Sequence, residues 1–162
     1  MIVHDSYYNL DDMQAKYIAE HKEMVIVELL KEQHPIGSQV MLRETWGVCG
    51  RASAQSHNKY LYKADNYCGG VCLFDCYTIW RSSQSMPLEA IRHKPVVVET
   101  RVVEVQDIAV AEKNLLGIEF STHSLHRLSV WFNRRYNNPR LKCCFSWDDN
   151  PWCEIFRVKE EG

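Results

Sequence analysis

Residues 95–105 read PVVVETRVVEV, and this β-branched stretch predicts the central strand of the fold. The apolar positions are even up to Val102 and odd from Val103 to Val105. Because side chains alternate between the two faces of a strand, this change of parity predicts a bulge or bend. The loop before the strand, Trp80–Pro87, reads WRSSQSMP and combines an aromatic ring, a guanidinium and hydroxyls. A bent strand after such a loop is typical of a small closed barrel with a pocket at its mouth, and equally of a plain core strand after a surface loop.

Length and charge limit the classes of function. The chain has 162 residues and a net charge of −2, which fit a single domain over residues 1–162. Bulk attraction to nucleic acid is excluded by so small a charge, so any such binding needs a local patch. The sequence has neither a basic-plus-apolar leader nor an apolar run near the roughly 18 residues that span a bilayer, so we expect a cytoplasmic protein without a membrane partner.

Helices are predicted near both ends of the chain, which with several strands makes an α+β domain. Asn9 is expected to cap a first helix that runs to about His21. Met24–Val27 reads either as a strand or as a continuation of that helix. A later helix is expected to turn Leu128 and Phe132 inward.

Three of the seven cysteines, Cys68, Cys72 and Cys76, recur at every fourth residue. A zinc site is one interpretation, with the fourth ligand from Cys49, His57, Cys143 or Cys144. The spacing is not that of a paired CxxC knuckle, and the apolar residues between the cysteines are typical of a buried segment with free thiols. We therefore expect neither a metal nor a cofactor.

A basic segment with interleaved aromatic residues lies near the end of the chain. It contains no acid from His123 to Lys142, and its basic residues are Arg127, Arg134, Arg135, Arg140 and Lys142. Basic residues beside Trp131 and Tyr136 have the chemistry that grips a phosphate backbone and stacks a base. The alternative is a solvated helix face that balances the acidic end of the chain.

Hydrolase signatures are absent from the sequence, which has no ordered Ser-His-Asp pattern, nucleophile elbow, phosphate-binding glycine loop or HExxH. The remaining candidates are ligand-binding residues, with the polar and aromatic groups that a pocket for a planar polar ligand would need. They are Lys22, Arg43, Glu44, Trp80, Arg81 and Ser83.

Several motifs together resemble the ASCH-domain proteins of the PUA-like superfamily, and most closely their bacteriophage and prophage branch. The motifs are the loop Trp80–Pro87, Val105-Gln106-Asp107-Ile108, Gly37–Thr45, Tyr62-Lys63-Ala64-Asp65 and Ser146–Trp152, in that branch's order over most of the chain. This resemblance implies a PUA-like small β-barrel, the ASCH fold, flanked by helices. It also implies recognition of RNA or of a modified nucleobase.

One bacterial group of that family hydrolyses an acetylated cytidine with a Lys, a Thr and a Glu. Lys22 matches the Lys, but Val25 and Leu116 stand at the other two positions. Without a hydroxyl and a carboxylate to move protons, Lys22 alone is a poor hydrolase. The resemblance therefore favours a protein that binds its ligand without turning it over.

We expect a phage-type protein, acting in a bacterial cytoplasm, that binds nucleic acid, a nucleotide or a nucleobase in a barrel-mouth cleft. Trp80 would stack a base, Arg81 and Arg43 would contact phosphate or a carbonyl edge, and Lys22 would reach the cleft floor. Ser83 and Asn150 would add orienting hydrogen bonds. The alternatives are a protein that occupies a host factor such as a defence nuclease, and a residual amidohydrolase or ribonuclease that uses other groups.

Overall fold

A computed structural model describes residues 6–48, 60–65, 79–108, 115–117, 124–137 and 145–161. The described strands are β1 (Ser6–Asn9), β2 (Glu23–Leu29), β3 (Val40–Arg43), β4 (Trp46–Val48), β5 (Tyr60–Tyr62), β6 (Val96–Glu104) and β7 (Trp152–Lys159). The described α-helices are α1 (Asp12–His21) and α2 (Ser124–Tyr136). The domain is therefore of the α+β class. None of the described helices has the length and apolar character that crossing a membrane requires.

The central sheet has the order β2-β7-β6 and is antiparallel throughout. β7 lies in the middle, which explains why both of its faces are buried from Cys153 to Phe156. β1 and β3 pair in parallel. Isolated bridges from Gln39 to Val96 and from Leu42 to His93 join β3 and the residue before it to the first residue of β6 and the segment just before it. β4 and β5 form a separate antiparallel pair. Within the described ranges, no sheet closes into a barrel.

The predicted irregularity in the central strand occurs, but at a different residue. β6 is irregular between Val97 and Glu99, where the pairing with β7 skips Val98. Val97 is fully buried, whereas Val98 is exposed. The change of parity at Val102 to Val103 is thus not the bulge, because β6 pairs regularly with β7 there.

The first helix also begins later than the sequence predicts. Asn9 is the last residue of β1 and pairs with Arg43, so it is not a cap. Asp11 caps α1 instead, because its side chain accepts the Gln14 N–H at 2.8 Å while the Gln14 side chain accepts the Asp11 N–H at 3.1 Å. This reciprocal pair is a capping box. The ambiguous segment after the helix is strand β2.

Apolar clusters on the two faces of the sheet hold the domain together. On one face, Ile26 and Phe156 pack with β1, β3 and α1. On the other, Val27 and Ile155 pack with α2 through groups that include Phe132. Leu128 and Phe132 are buried, as their helical spacing predicts.

Candidate functional site

Arg43, at the end of β3, is half-buried and has no carboxylate partner among the described residues. Its guanidinium lies over the Tyr7 ring, 5.0 Å from the centroid, and Tyr7 is 43% exposed. Nη1 donates to the Gln84 carbonyl at 3.4 Å, and Nε is buried without a hydrogen-bond partner. A half-buried guanidinium with an unused donor is suited to an anionic or carbonyl-bearing ligand.

The loop Trp80–Pro87 lies against Trp46 of β4. The Trp46 backbone exchanges hydrogen bonds with Arg81, and its Nε1 donates to the Ser82 carbonyl at 3.1 Å. Arg81 remains exposed, with its guanidinium 5.2 Å from the Trp46 ring centroid, while Trp80 is half-buried. Ser83 is half-buried within a 3-10 turn, Ser83–Ser85. The loop and Arg43 therefore meet through Gln84.

Glu44, in contrast, is fully buried and serves as a counter-ion. Arg92 donates to its two carboxylate oxygens from Nε at 3.0 Å and from Nη2 at 2.9 Å. The same guanidinium binds Asp65 at 2.8 and 2.9 Å and lies over the Tyr62 ring at 4.1 Å. Burial alone would lower the pKa of Arg92, but the hydrogen bonds to Glu44 and Asp65 raise it above its usual value. This geometry gives Glu44 a structural role.

Lys22 lies on a different part of the surface, at the rim of an open cleft of about 810 Å³. The residues that line this cleft are Lys22, Val96, Val98, Lys159, Glu160 and Glu161, and they include none from Trp80–Pro87. Lys22 Nζ is 3.6 Å from Glu160, whose other carboxylate oxygen bonds the buried His93. Two lysines and two glutamates thus line the cleft, so it has no single sign of charge.

The backbone of Lys22 adopts a left-handed conformation, with φ of 62°, where α1 ends. Glycine is the residue that this position favours, because a Cβ is strained there. Two backbone hydrogen bonds hold Lys22 in this strained conformation. The Lys22 N–H donates to Ile18 at 2.9 Å, and its carbonyl accepts from Glu160 at 2.8 Å.

Asn150 is committed to the turn that precedes β7 and ties this turn to the end of β6. Its amide donates to Glu104 at 2.8 Å and accepts the Gln106 N–H at 3.0 Å. These contacts hold Asn150 away from a ligand-orienting role. Trp152, which follows the turn, is 57% exposed.

The two described arginine side chains of α2 differ in their exposure to solvent. Arg134 is exposed, whereas Arg135 is half-buried and its guanidinium lies 4.2 Å from the Tyr8 ring centroid. Arg135 also donates to the Asn9 carbonyl at 2.7 Å and to the Tyr136 hydroxyl at 3.2 Å, so its guanidinium faces the protein. The Arg127 side chain, Arg140 and Lys142 lie outside the described residues.

Val25 and Leu116, at the positions of the hydrolase Thr and Glu, are both buried in the apolar cluster that packs on α2. Their segments do meet, because the Val25 N–H donates to the Leu115 carbonyl at 2.8 Å. No proton-transfer group comes from these two side chains, so the acetylated-cytidine chemistry has no support here.

Among the described residues, a group with metal-ligand chemistry is formed by Glu28, His34 and Glu154, which offer one ligand atom each within 4.8 Å of one another. Glu28 and Glu154 are direct cross-strand partners. Burial raises the pKa of Glu28, while the charges of His34 and Arg135 lower it. The predicted cysteine cluster, Cys68, Cys72 and Cys76, lies outside the described residues.

No protein-family model, curated protein or solved structure matches the chain. Sequence reasoning missed Tyr7 and Arg92, which contact Arg43 and Glu44 across long stretches of chain. Tyr7 carries one weak signal, since the adjacent pair Tyr7-Tyr8 in a strand must turn one ring outward. Arg92 carries none, because nothing local links it to Glu44.

Proposed function

We propose that the protein binds a nucleotide or single-stranded nucleic acid on the Arg43 surface, which we define as Tyr7, Arg43, Trp80, Arg81 and Gln84. We further propose that the α+β domain is a PUA-like small barrel of the ASCH type from a phage or prophage. The bridges that join β3 to β6 support this second proposal, because they link β1, β3, β6, β7 and β2 into one path of strands.

The observation that carries the proposal is the state of the Arg43 guanidinium. Its Nε is buried without a partner, and no described carboxylate neutralises its charge. Nε itself is inaccessible to a ligand, but Nη2 has no hydrogen-bond partner among the described residues, and a hydrogen bond from a charged group to an acceptor contributes about 1.5–3 kcal/mol. Phosphate oxygens and base carbonyls are such acceptors, and a guanidinium fork suits both.

Stacking capacity is present beside this charge. The Tyr7 ring is 43% exposed and carries Arg43 on one side, while Trp80 precedes the exposed Arg81. Stacking of a base on an aromatic side chain contributes roughly 1–3 kcal/mol and tolerates any base. Two aromatic rings with two guanidiniums therefore favour a single strand over a duplex.

The test is fluorescence anisotropy of a labelled 12-nucleotide single-stranded RNA, titrated at several salt concentrations. Arg43→Gln should weaken binding by about 1–2 kcal/mol, or roughly 5- to 30-fold, and should reduce the salt slope by about 0.7. Arg43→Lys keeps the charge but loses the planar fork, so it should keep the slope and still lose affinity.

Two control variants locate the effect. Lys16 is an exposed cation on α1, and Lys16→Gln should leave both affinity and slope unchanged. Arg134→Gln tests the alternative surface on α2. If Arg134→Gln weakens binding and Arg43→Gln does not, the Arg43 surface is not the site.

A host protein is the second candidate partner, and exposed apolar side chains next to the Arg43 surface favour it. Ile79 is 79% exposed and Leu88 is 54% exposed, at the two ends of the loop Trp80–Pro87. A pull-down from bacterial lysate with and without nuclease separates the candidates. A stoichiometric protein that survives nuclease and is lost in Ile79→Ser would favour this one.

A further inference from the structure

Ser6, His34 and Glu154 form a continuous hydrogen-bonded chain although they are far apart in the sequence. Ser6 Oγ lies 2.6 Å from His34 Nε2, and His34 Nδ1 lies 2.8 Å from Glu154 Oε2. Each imidazole nitrogen therefore has one partner, a hydroxyl on the outer side and a carboxylate on the inner side. This is the order in which a serine nucleophile, its base and its orienting acid must stand.

The acid is held firmly in this arrangement. Glu154 is only 2% exposed, and its Oε1 accepts the His34 N–H at 2.6 Å and the Thr100 hydroxyl at 2.8 Å. Because Oε1 is fully engaged, Oε2 is directed at the imidazole. The Glu154 carboxylate thus holds both the backbone N–H and the imidazole ring of His34 in place.

The base and the nucleophile lie progressively nearer to solvent. The His34 ring stacks on the buried Phe156 at 4.3 Å between centroids, and its side chain is 13% exposed. Ser6 is half-buried on β1. Glu28 adds a second carboxylate near the ring, where it favours the imidazolium that forms during acyl transfer. A metal at this cluster would have to displace hydrogen bonds that already occupy both ring nitrogens.

We propose that Ser6, His34 and Glu154 form a nucleophile–base–acid unit that hydrolyses carboxylic esters of small acyl groups. Ser6 Oγ attacks the carbonyl carbon and passes its proton to His34 Nε2, and the ester C–O bond then breaks as His34 protonates the departing alkoxide. Water attacks the acyl–Ser6 ester with His34 as base, which releases the carboxylic acid and returns the proton to Ser6. A small acyl group is proposed because Ser6 is half-buried, which hinders the approach of a large one.

The test is covalent labelling of the folded protein by a fluorophosphonate probe, read by mass spectrometry at Ser6, together with turnover of p-nitrophenyl acetate. Wild type should label at Ser6 and turn the ester over. Ser6→Ala should abolish both, and Glu154→Gln should lower turnover on the order of 10⁴-fold, because the imidazole loses its oriented tautomer. Thermal unfolding of each variant separates lost chemistry from lost folding.

Ser38 provides the matched control, since its hydroxyl donates to the Pro35 carbonyl and has no imidazole partner. Ser38→Ala should label and turn over like wild type. The proposal is overturned if folded wild type shows no adduct at Ser6, or if the adduct persists unchanged in His34→Gln. Zinc binding that is lost in Glu28→Gln, in a protein that the probe does not label, would also overturn it and assign the cluster to a cation.

Discussion

Replacing Arg92 with methionine tests whether Glu44 is a structural carboxylate. The Glu44 side chain is 1% exposed. Its carboxylate accepts two hydrogen bonds from the Arg92 guanidinium, at 2.9 and 3.0 Å. Methionine keeps much of the length of the side chain but leaves Glu44 buried, with His93 Nε2 at 3.7 Å as its nearest remaining charge-bearing group. Breaking such a pair costs about 3–5 kcal/mol. For a domain of this size, that predicts a fall in Tm of roughly 6–20 °C.

The assay is thermal and urea unfolding followed by circular dichroism, with Asp65→Asn as the matched control. Asp65 binds the same guanidinium, but its side chain is 29% exposed, so losing its charge should cost less than about 1 kcal/mol. The double variant Glu44→Gln/Arg92→Met removes both buried charges and should be more stable than the sum of the single losses implies. Arg92→Met within 1 kcal/mol of wild type, or strict additivity in the double variant, would refute the reasoning.

Three further outcomes are expected. Lys22→Gly should raise the free energy of unfolding by about 0.5–1 kcal/mol in urea titrations, because glycine removes left-handed strain and the exposed contact with Glu160 contributes little. Glu28 has a raised pKa, so folded protein binds its proton more tightly than unfolded protein does, and stability is lost as pH rises above the ordinary value of 4.5. Glu28→Gln should therefore raise Tm at pH 7, and the gain should vanish below about pH 4. Burial raises the pKa of Cys153 to about 12, so iodoacetamide should modify this thiol at pH 8 only after unfolding, as peptide mapping would show.

Elements with a strong local pattern could be predicted from the sequence. β7 alternates Glu154 and Phe156 with Cys153 and Ile155, and the structure turns the two sets to opposite faces. Gly37 adopts a φ of 89°, as the turn before β3 requires. These features are predictable because strand alternation and glycine conformation depend on a few neighbouring residues.

Features set by distant partners could not be predicted. The first helix is capped by Asp11 and not by the predicted Asn9, because the pairing of β1 with β3 extends through Asn9. Glu44 is predicted as a pocket residue from the sequence, because its partner Arg92 lies 48 positions away along the chain. The same holds for Ser6 and Glu154, which no spacing connects with His34. A side chain's role depends on its partner, and only the folded chain identifies that partner.

Ultraviolet crosslinking of bound single-stranded RNA, followed by mass spectrometry of the crosslinked peptides, tests the proposed binding surface most directly. Crosslinks should fall on Tyr7 and on the peptide that contains Trp80, and at an RNA concentration well below the wild-type Kd their yield should fall about 5-fold or more in Arg43→Gln. Crosslinks confined to α2 around Trp131, or an unchanged yield in Arg43→Gln at that concentration, would contradict the account.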